Sequence, residues 1–369
     1  MLRLYFLYSG CSGENEKKQT SGTSHLSVAM TTTEGLVTTS AAAGTSETSS
    51  LSVDTELYFK IAVVFMAAVG TAGNALVLYA LVASKQHKKH ALIVNQNALD
   101  LFGCFFLMII YTLKLFNIYL RGVLGYWLCA MLFSENLIWW GANGSAVNLA
   151  IIAIYRYLKV VHHAWSKRWL RHTVINLAMV FSWLVGIVYN VTVVFASSAV
   201  IDGVCYAYVV FEGDLQQKAN GLFYIVFFYL LILAIFIFCY GRIVFIVRRQ
   251  ATVMAAHSGP SSSSAQTQSN RIQSNMMKTV IFVSAFYAIT WLPGNVYIFF
   301  TLTDDLNLVG ARYYVAVFIA FIYISANPFI YTAKFDPVRE VLKDMIPCKK
   351  IPVEPVSYQE PAGGRSTNT

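Results

Sequence analysis

The sequence predicts an all-α membrane protein, a seven-transmembrane helix bundle, and three observations carry that prediction. Hydrophobic residues make up 57% of the 369 positions and charged residues only 12%, far from the composition of an ordinary soluble domain. Seven apolar runs, each about 20 residues or longer, recur along the chain, enough to cross about 30 Å of hydrocarbon as helices. The basic residues behind the net charge of +9 fall in alternate short connections beside these runs, a membrane-orientation pattern rather than a nucleic-acid surface.

Residues 1–57 precede the first run. Met1–Tyr8 is short and apolar but lacks a small-residue cleavage site, so a cleaved signal is not expected. Residues 9–56 are rich in Ser, Thr, Gly and Ala and read as a disordered extracellular tail. The spans are expected near 58–83, 91–117, 128–160, 173–196, 217–249, 275–302 and 310–333. Lipid admits only segments whose backbone hydrogen bonds close internally, and helices of this length satisfy that demand. Within the bundle domain, 58–333, the sequons Asn143-Gly144-Ser145 and Asn190-Val191-Thr192 fall inside spans and read as chance matches.

Lys85, Lys88 and Lys89 follow span one, Lys167, Arg168 and Arg171 follow span three, and Arg248, Arg249 and Arg271 flank the connection from five to six. The opposing loops hold Asp202, Glu212, Asp214, Asp304 and Asp305, which places the amino terminus outside and the carboxyl terminus inside. The run Ser258–Ser264 is a breaker-rich linker. In the final region, 334–369, apolar residues at helical spacing over Lys334–Ile346 suit a short amphipathic helix on the membrane surface, with Cys348 a palmitoylation candidate beyond it.

Polar residues inside the spans carry the functional signal. Asp100 lies in the middle of span two, where a carboxylate costs at least a few kcal/mol unless it faces the bundle interior. It needs a cation, a solvent path, or neighbouring hydroxyls and amides, for which Asn74, Ser145, Asn148 and Asn327 are candidates. Pro293 in span six, beside Trp291, and Pro328 in span seven each remove a helix hydrogen bond and make a hinge. Arg156 at the inner end of span three can snorkel, or can exchange partners between helices with Tyr240 and Tyr331. The six cysteines form no metal-ligand spacing, and no HExxH, GxSxG, P-loop or paired-carboxylate pattern suggests an enzyme. A transporter or channel is the competing class, but no internal repeat is visible.

Taken in order, Gly73-Asn74, Asn95, Leu99-Asp100, Tyr155-Arg156-Tyr157, Trp183, Tyr240, Trp291-Leu292-Pro293 and Asn327-Pro328-Phe329-Ile330-Tyr331, each on its own span or paired within one, make the chain resemble the rhodopsin-like (class A) G-protein-coupled receptors over about 58–348. The resemblance implies a plasma-membrane receptor that binds an extracellular ligand and activates a heterotrimeric G protein by outward movement of the sixth helix. It implies no cofactor beyond an allosteric sodium ion at Asp100, Ser145 and Asn327, a ligand-coupled toggle at Trp291, and activation groups at Tyr155, Arg156, Tyr240, Asn327, Pro328 and Tyr331. It also implies a Cys129–Cys205 disulfide, with Cys104 and Cys239 as buried thiols, and arrestin recruitment through tail residues such as Ser357, Ser366, Thr367 and Thr369.

Departures from the family pattern shape the ligand reading. Tyr155 stands where the family carries an acid before the arginine, and no acid lies near Gln273, which together point to raised basal activity. Cys129 lies about two residues farther from Arg156 than the family habit, pointing to a bulge, and span five has no proline. The amine-contact position is Ile138 counted from Arg156 or Asn136 counted from Cys129, neither acidic. Phe321 stands where light-sensing members carry lysine. Ligand-binding candidates are Lys114, Glu135, Asn136, Ile138 and Tyr297, with Lys114 set to pair either with Glu135 or with an anionic ligand group. The alternating stretch Val204–Val209 suits a hairpin, and with the acidic outer loops it favours a peptide-like ligand.

Overall fold

The computed structural model describes residues 47–116, 118–195, 197–206, 214–257, 264–302 and 311–334, together with Val338 and Val341. Among the described residues, seven helical spans long and apolar enough to cross a membrane run over Asp54–Ala83, Ala91–Leu113, Gly122–Val161, His172–Val193, Lys218–Arg249, Met277–Phe300 and Tyr314–Ala333. The chain is therefore a multi-pass membrane protein. The first helix begins at Glu47, upstream of the expected start at 58, and a Glu56–Lys60 ion pair of 2.8 Å one turn apart supports its outer part. The amphipathic helix expected over Lys334–Ile346 lies outside the described residues apart from Lys334, Val338 and Val341, as do Cys348 and the tail hydroxyls.

The third span is the central helix: 67% of its most apolar stretch is buried inside the bundle, against 17% for the fourth. Its small and polar residues Gly141, Asn143, Gly144, Ser145 and Asn148 are all buried, so it turns an unusually polar surface to its neighbours and little to lipid. Both sequon asparagines, Asn143 and Asn190, are likewise buried among helices. Large exposed apolar side chains such as Phe65, Phe181 and Phe238 form the lipid-facing surface.

At the end of the bundle that carries Cys129, β1 (Ala199–Ile201) pairs antiparallel with β2 (Val204–Tyr206) through a tight turn at Asp202 and Gly203, both with positive φ. This is the hairpin expected from the alternating stretch, although residues 207–209 lie outside the described residues. The Gly203 carbonyl accepts from the Leu120 amide at 2.9 Å, and the Cys129–Cys205 disulfide fixes the second strand to span three. Cys104 and Cys239 are buried free thiols.

Candidate functional site

Asp100 is fully buried, and its carboxylate joins three spans. Ser145 Oγ donates to Oδ1 at 2.6 Å and Asn327 Nδ2 to Oδ2 at 2.8 Å, bringing together the three residues singled out by the sequence. Gln96, one turn earlier, adds long contacts of 3.4 and 3.5 Å to the same carboxylate and a short bond to Ser145. Tyr323 closes the group, its hydroxyl 3.4 Å from both Gln96 and Ser145. Among the described residues no basic side chain pairs with Asp100. Asn327 Oδ1 is buried without a donor. A hard cation takes carboxylate, carbonyl and hydroxyl oxygens, so Asp100, Ser145 and the orphaned Asn327 oxygen form a fitting donor set.

The network extends sideways. Gln96 Oε1 accepts from Asn148 at 2.8 Å, Asn95 donates to Asn148 at 2.9 Å and to Ser182 at 3.0 Å, and Trp183 Nε1 donates to Asn95 Oδ1 at 2.9 Å. Asn148 therefore reaches Asp100 only through Gln96. Asn74 instead ties span one to span seven through the Ile324 carbonyl at 3.2 Å. Gln96 and Tyr323 escaped the sequence reading because a neutral amide and a phenol inside a span raise no charge alarm.

Toward its amino-terminal end, span three is broken. A π-helical turn spans Cys129–Phe133, Ser134 donates its amide to the Cys129 carbonyl at 2.9 Å, and Glu135 takes left-handed φ of 63° before the helix restarts at Asn136. This is the bulge expected from the long Cys129–Arg156 spacing: it absorbs the surplus residues while Cys129 still meets Cys205. Asn136 spends its amide on the Ala130 carbonyl at 3.2 Å, closing the break, and Ile138 is fully buried in the core.

The break aims Glu135 into the bundle, where Lys114 Nζ meets Oε1 at 2.5 Å, Tyr111 donates to Oε1 at 2.9 Å, and Trp139 Nε1 donates to Oε2 at 3.3 Å. Lys114 thus pairs with Glu135, one of the two partners open to it. Trp139 in turn meets Trp291 edge-on at 6.1 Å between ring centroids. Trp291 is buried against Tyr287 and Tyr323, with its Nε1 lacking an acceptor. Tyr297 lies half-buried toward the carboxyl-terminal end of span six.

Pro293 and Pro328 both lie inside continuous helices. Span five, which has no proline, carries a π-helical turn at Ile225–Leu230 instead. The turn leaves the Phe228 carbonyl to a short bond from Tyr287 of span six, and Tyr229 donates to the Ala288 carbonyl at 3.0 Å. Toward the opposite end of the bundle Tyr240 shares a 2.9 Å hydrogen bond with Ser284, so its hydroxyl is committed to span six, while the buried Arg156 Nε has no acceptor. Tyr331 is almost fully buried, and Tyr155 packs on the core with Lys159 Nζ 4.6 Å over its ring. The Gln273 side chain lies outside the described residues.

The family model for the 7 transmembrane receptor (rhodopsin family) matches residues 73–331. The chain is also similar to somatostatin receptor type 5 of Bos taurus, with 26% identity over 310 residues, covering 77% of this chain and 74% of that protein.

Proposed function

Because the chain belongs to the rhodopsin family of seven-transmembrane receptors, we propose that it is a G-protein-coupled receptor with its amino terminus outside, activated by a peptide-like extracellular ligand. The observation that carries this reading is the Asp100 junction, a buried carboxylate bonded across spans two, three and seven with no cationic side chain among the described residues to neutralise it. A sodium ion held by Asp100, Ser145 and the Asn327 carbonyl oxygen would supply that counter-charge. The outer hairpin, the acidic outer loops and the similarity to a somatostatin receptor support a peptide-like ligand.

In this reading the ligand binds one of two bundle arrangements more tightly and shifts the equilibrium toward it. Outward movement of span six about Pro293 breaks the Tyr240–Ser284 bond and the two tyrosine–carbonyl bonds joining spans five and six. Tyr240 is then free to support Arg156 as it receives the G protein, with Tyr331 moving about the Pro328 hinge. Arrestin would follow through the phosphorylated tail.

The test is nucleotide exchange on a panel of purified G proteins by the protein in lipid nanodiscs, screened against peptide pools. Ligand-dependent exchange is expected. Ligand-independent ion flux in proteoliposomes, without exchange on any G protein, would replace this reading with a transporter or channel.

A further inference from the structure

At the end of the bundle that carries Arg156, a cavity of about 230 Å³ opens between the ends of spans two, three and four. Its polar lining is Lys88, Lys89, His90, Tyr155, Arg156, Lys159 and His172, and no acidic side chain lines it. The floor is apolar, from Ile152 and Ile175. The cations Lys88, Lys89, Arg156 and Lys159 come from two separate segments, the loop before span two and the end of span three. The fold thus gathers like charges that would otherwise repel across one concavity.

Two further observations point to an anion-binding role. Arg156 reaches into this cavity with its Nε buried and without an acceptor, although a guanidinium is normally bonded wherever it is desolvated. The residue beside it is Tyr155, so the chain itself offers no adjacent carboxylate. The cavity also sits where the spans end, the level at which a bilayer crossed by these helices would place its headgroups. Basic pockets between transmembrane helices at the cytoplasmic face are suited to phosphorylated headgroups, and the planar fork of arginine matches phosphate oxygens.

We propose that this cavity is a binding site for a phosphate monoester, held by Arg156 with Lys88, Lys89 and Lys159, which supplies in trans the counter-charge that Tyr155 does not. The assignment of this face to the cytoplasm rests on the proposed receptor orientation, but binding itself is measured without any G protein. Failure of the receptor reading therefore leaves it standing or falling alone.

The test is native mass spectrometry of the full chain, with matched thermal-stability titrations, against phosphatidylcholine carrying either phosphatidylinositol 4-phosphate or phosphatidylserine, and against soluble inositol 1,4,5-trisphosphate. Lys89→Gln with Lys159→Gln removes two cations of the cavity, and Lys167→Gln removes one exposed charge outside it. The expected result is preferential binding of phosphatidylinositol 4-phosphate over phosphatidylserine, weakened about tenfold or more by the double variant and less than about twofold by Lys167→Gln. Matching retention of the soluble inositol phosphate would show that the phosphate group suffices, whereas retention of the lipid alone would assign the site to the membrane; both support it. Equal binding of both lipids, equal loss in the cavity and control variants, or no retention of any phosphate monoester would overturn it.

Discussion

Replacing Lys114 with Met strands the Glu135 carboxylate at a site where both members of the ion pair are almost out of solvent. Side-chain exposure is 12% for Lys114 and 11% for Glu135, and the contact is 2.5 Å. Removing one partner of such a pair costs about 3–5 kcal/mol, because the remaining charge keeps its desolvation penalty. The Tyr111 and Trp139 donors still bond Glu135, which places Lys114→Met toward the lower end, about 3 kcal/mol. Glu135→Gln leaves the ammonium facing a neutral amide, a loss of similar size. Removing both charges together takes away attraction and penalty at once, so the double variant loses less than the worse single variant, with a coupling of at least about 2 kcal/mol. Cys104 and Cys239 are buried free thiols, so a thiol-reactive fluorophore reports their exposure on thermal unfolding of the detergent-purified protein. Additive losses in the double variant would refute the claim that this pair clasps span two to the broken end of span three.

Four further outcomes are expected. Tyr155→Asp gives Arg156 an adjacent carboxylate and lowers basal nucleotide exchange about two- to tenfold in phosphoinositide-free nanodiscs; unchanged exchange would remove Tyr155 as the source of basal activity. Asp100→Asn weakens the sodium dependence of agonist binding, measured by radioligand competition at varied sodium and constant ionic strength, whereas retained dependence would place the ion elsewhere. Gly141→Ala brings a Cβ to 2.9 Å from the Gly103 backbone of span two and costs about 1–3 kcal/mol in thermal unfolding; a neutral result would show that the two helices separate freely. Burial, then the charges of Arg156, Lys89 and Lys159, lower the His90 pKa from 6.5 to about 4, and His172 and Lys88 also face the shared cavity. The folded state therefore binds fewer protons than the unfolded one in that interval: stability is full above about pH 6.5 and falls as the pH approaches 4, by up to about 3 kcal/mol. His90→Gln should flatten that part of the unfolding profile, and an unaltered profile would assign the acid sensitivity to other groups.

The seven spans were legible because lipid imposes length and hydropathy on every one of them, and those are properties of composition rather than contact. Asp100, Ser145 and Asn327 were legible for the opposite reason, since each is conspicuous against an apolar background and Ser145 and Asn327 both donate to the buried carboxylate. Gln96 and Tyr323 were not, because amide and phenol groups are tolerated singly in a span and only the assembled geometry brings Gln96 to Ser145 and Asp100 and Tyr323 to Gln96 and Ser145. The π-helical turn at Ile225–Leu230 was equally silent: one additional residue per turn leaves hydropathy untouched and appears only in the backbone bonds it releases. Nor does Glu135 advertise its left-handed backbone, a conformation that sequence patterns assign to glycine or asparagine. The extra spacing from Cys129 to Arg156 indicated a bulge, but not which residue would turn inward.

That inward turn gives the departure at the outer end of span three a physical consequence. A continuous helix from Cys129 would have no reason to place Glu135 against Lys114; the left-handed residue does, and the carboxylate then holds Trp139 through its indole nitrogen. Trp139 meets both Trp291 of span six and Phe321 of span seven, with ring centroids 6.1 and 5.8 Å away. A ligand group that draws Lys114 off Glu135 would change the electrostatic load on the acceptor of Trp139, in contact with the residue proposed as the toggle. Such a route needs no acid at Ile138 or Asn136, the positions where amine recognition would place one, and it predicts that Trp139→Phe, which keeps a ring but removes the donor, weakens the effect of Glu135→Gln on agonist efficacy. Equal effects of Glu135→Gln with Trp139 intact and in the Trp139→Phe background would leave the pair a structural clasp alone.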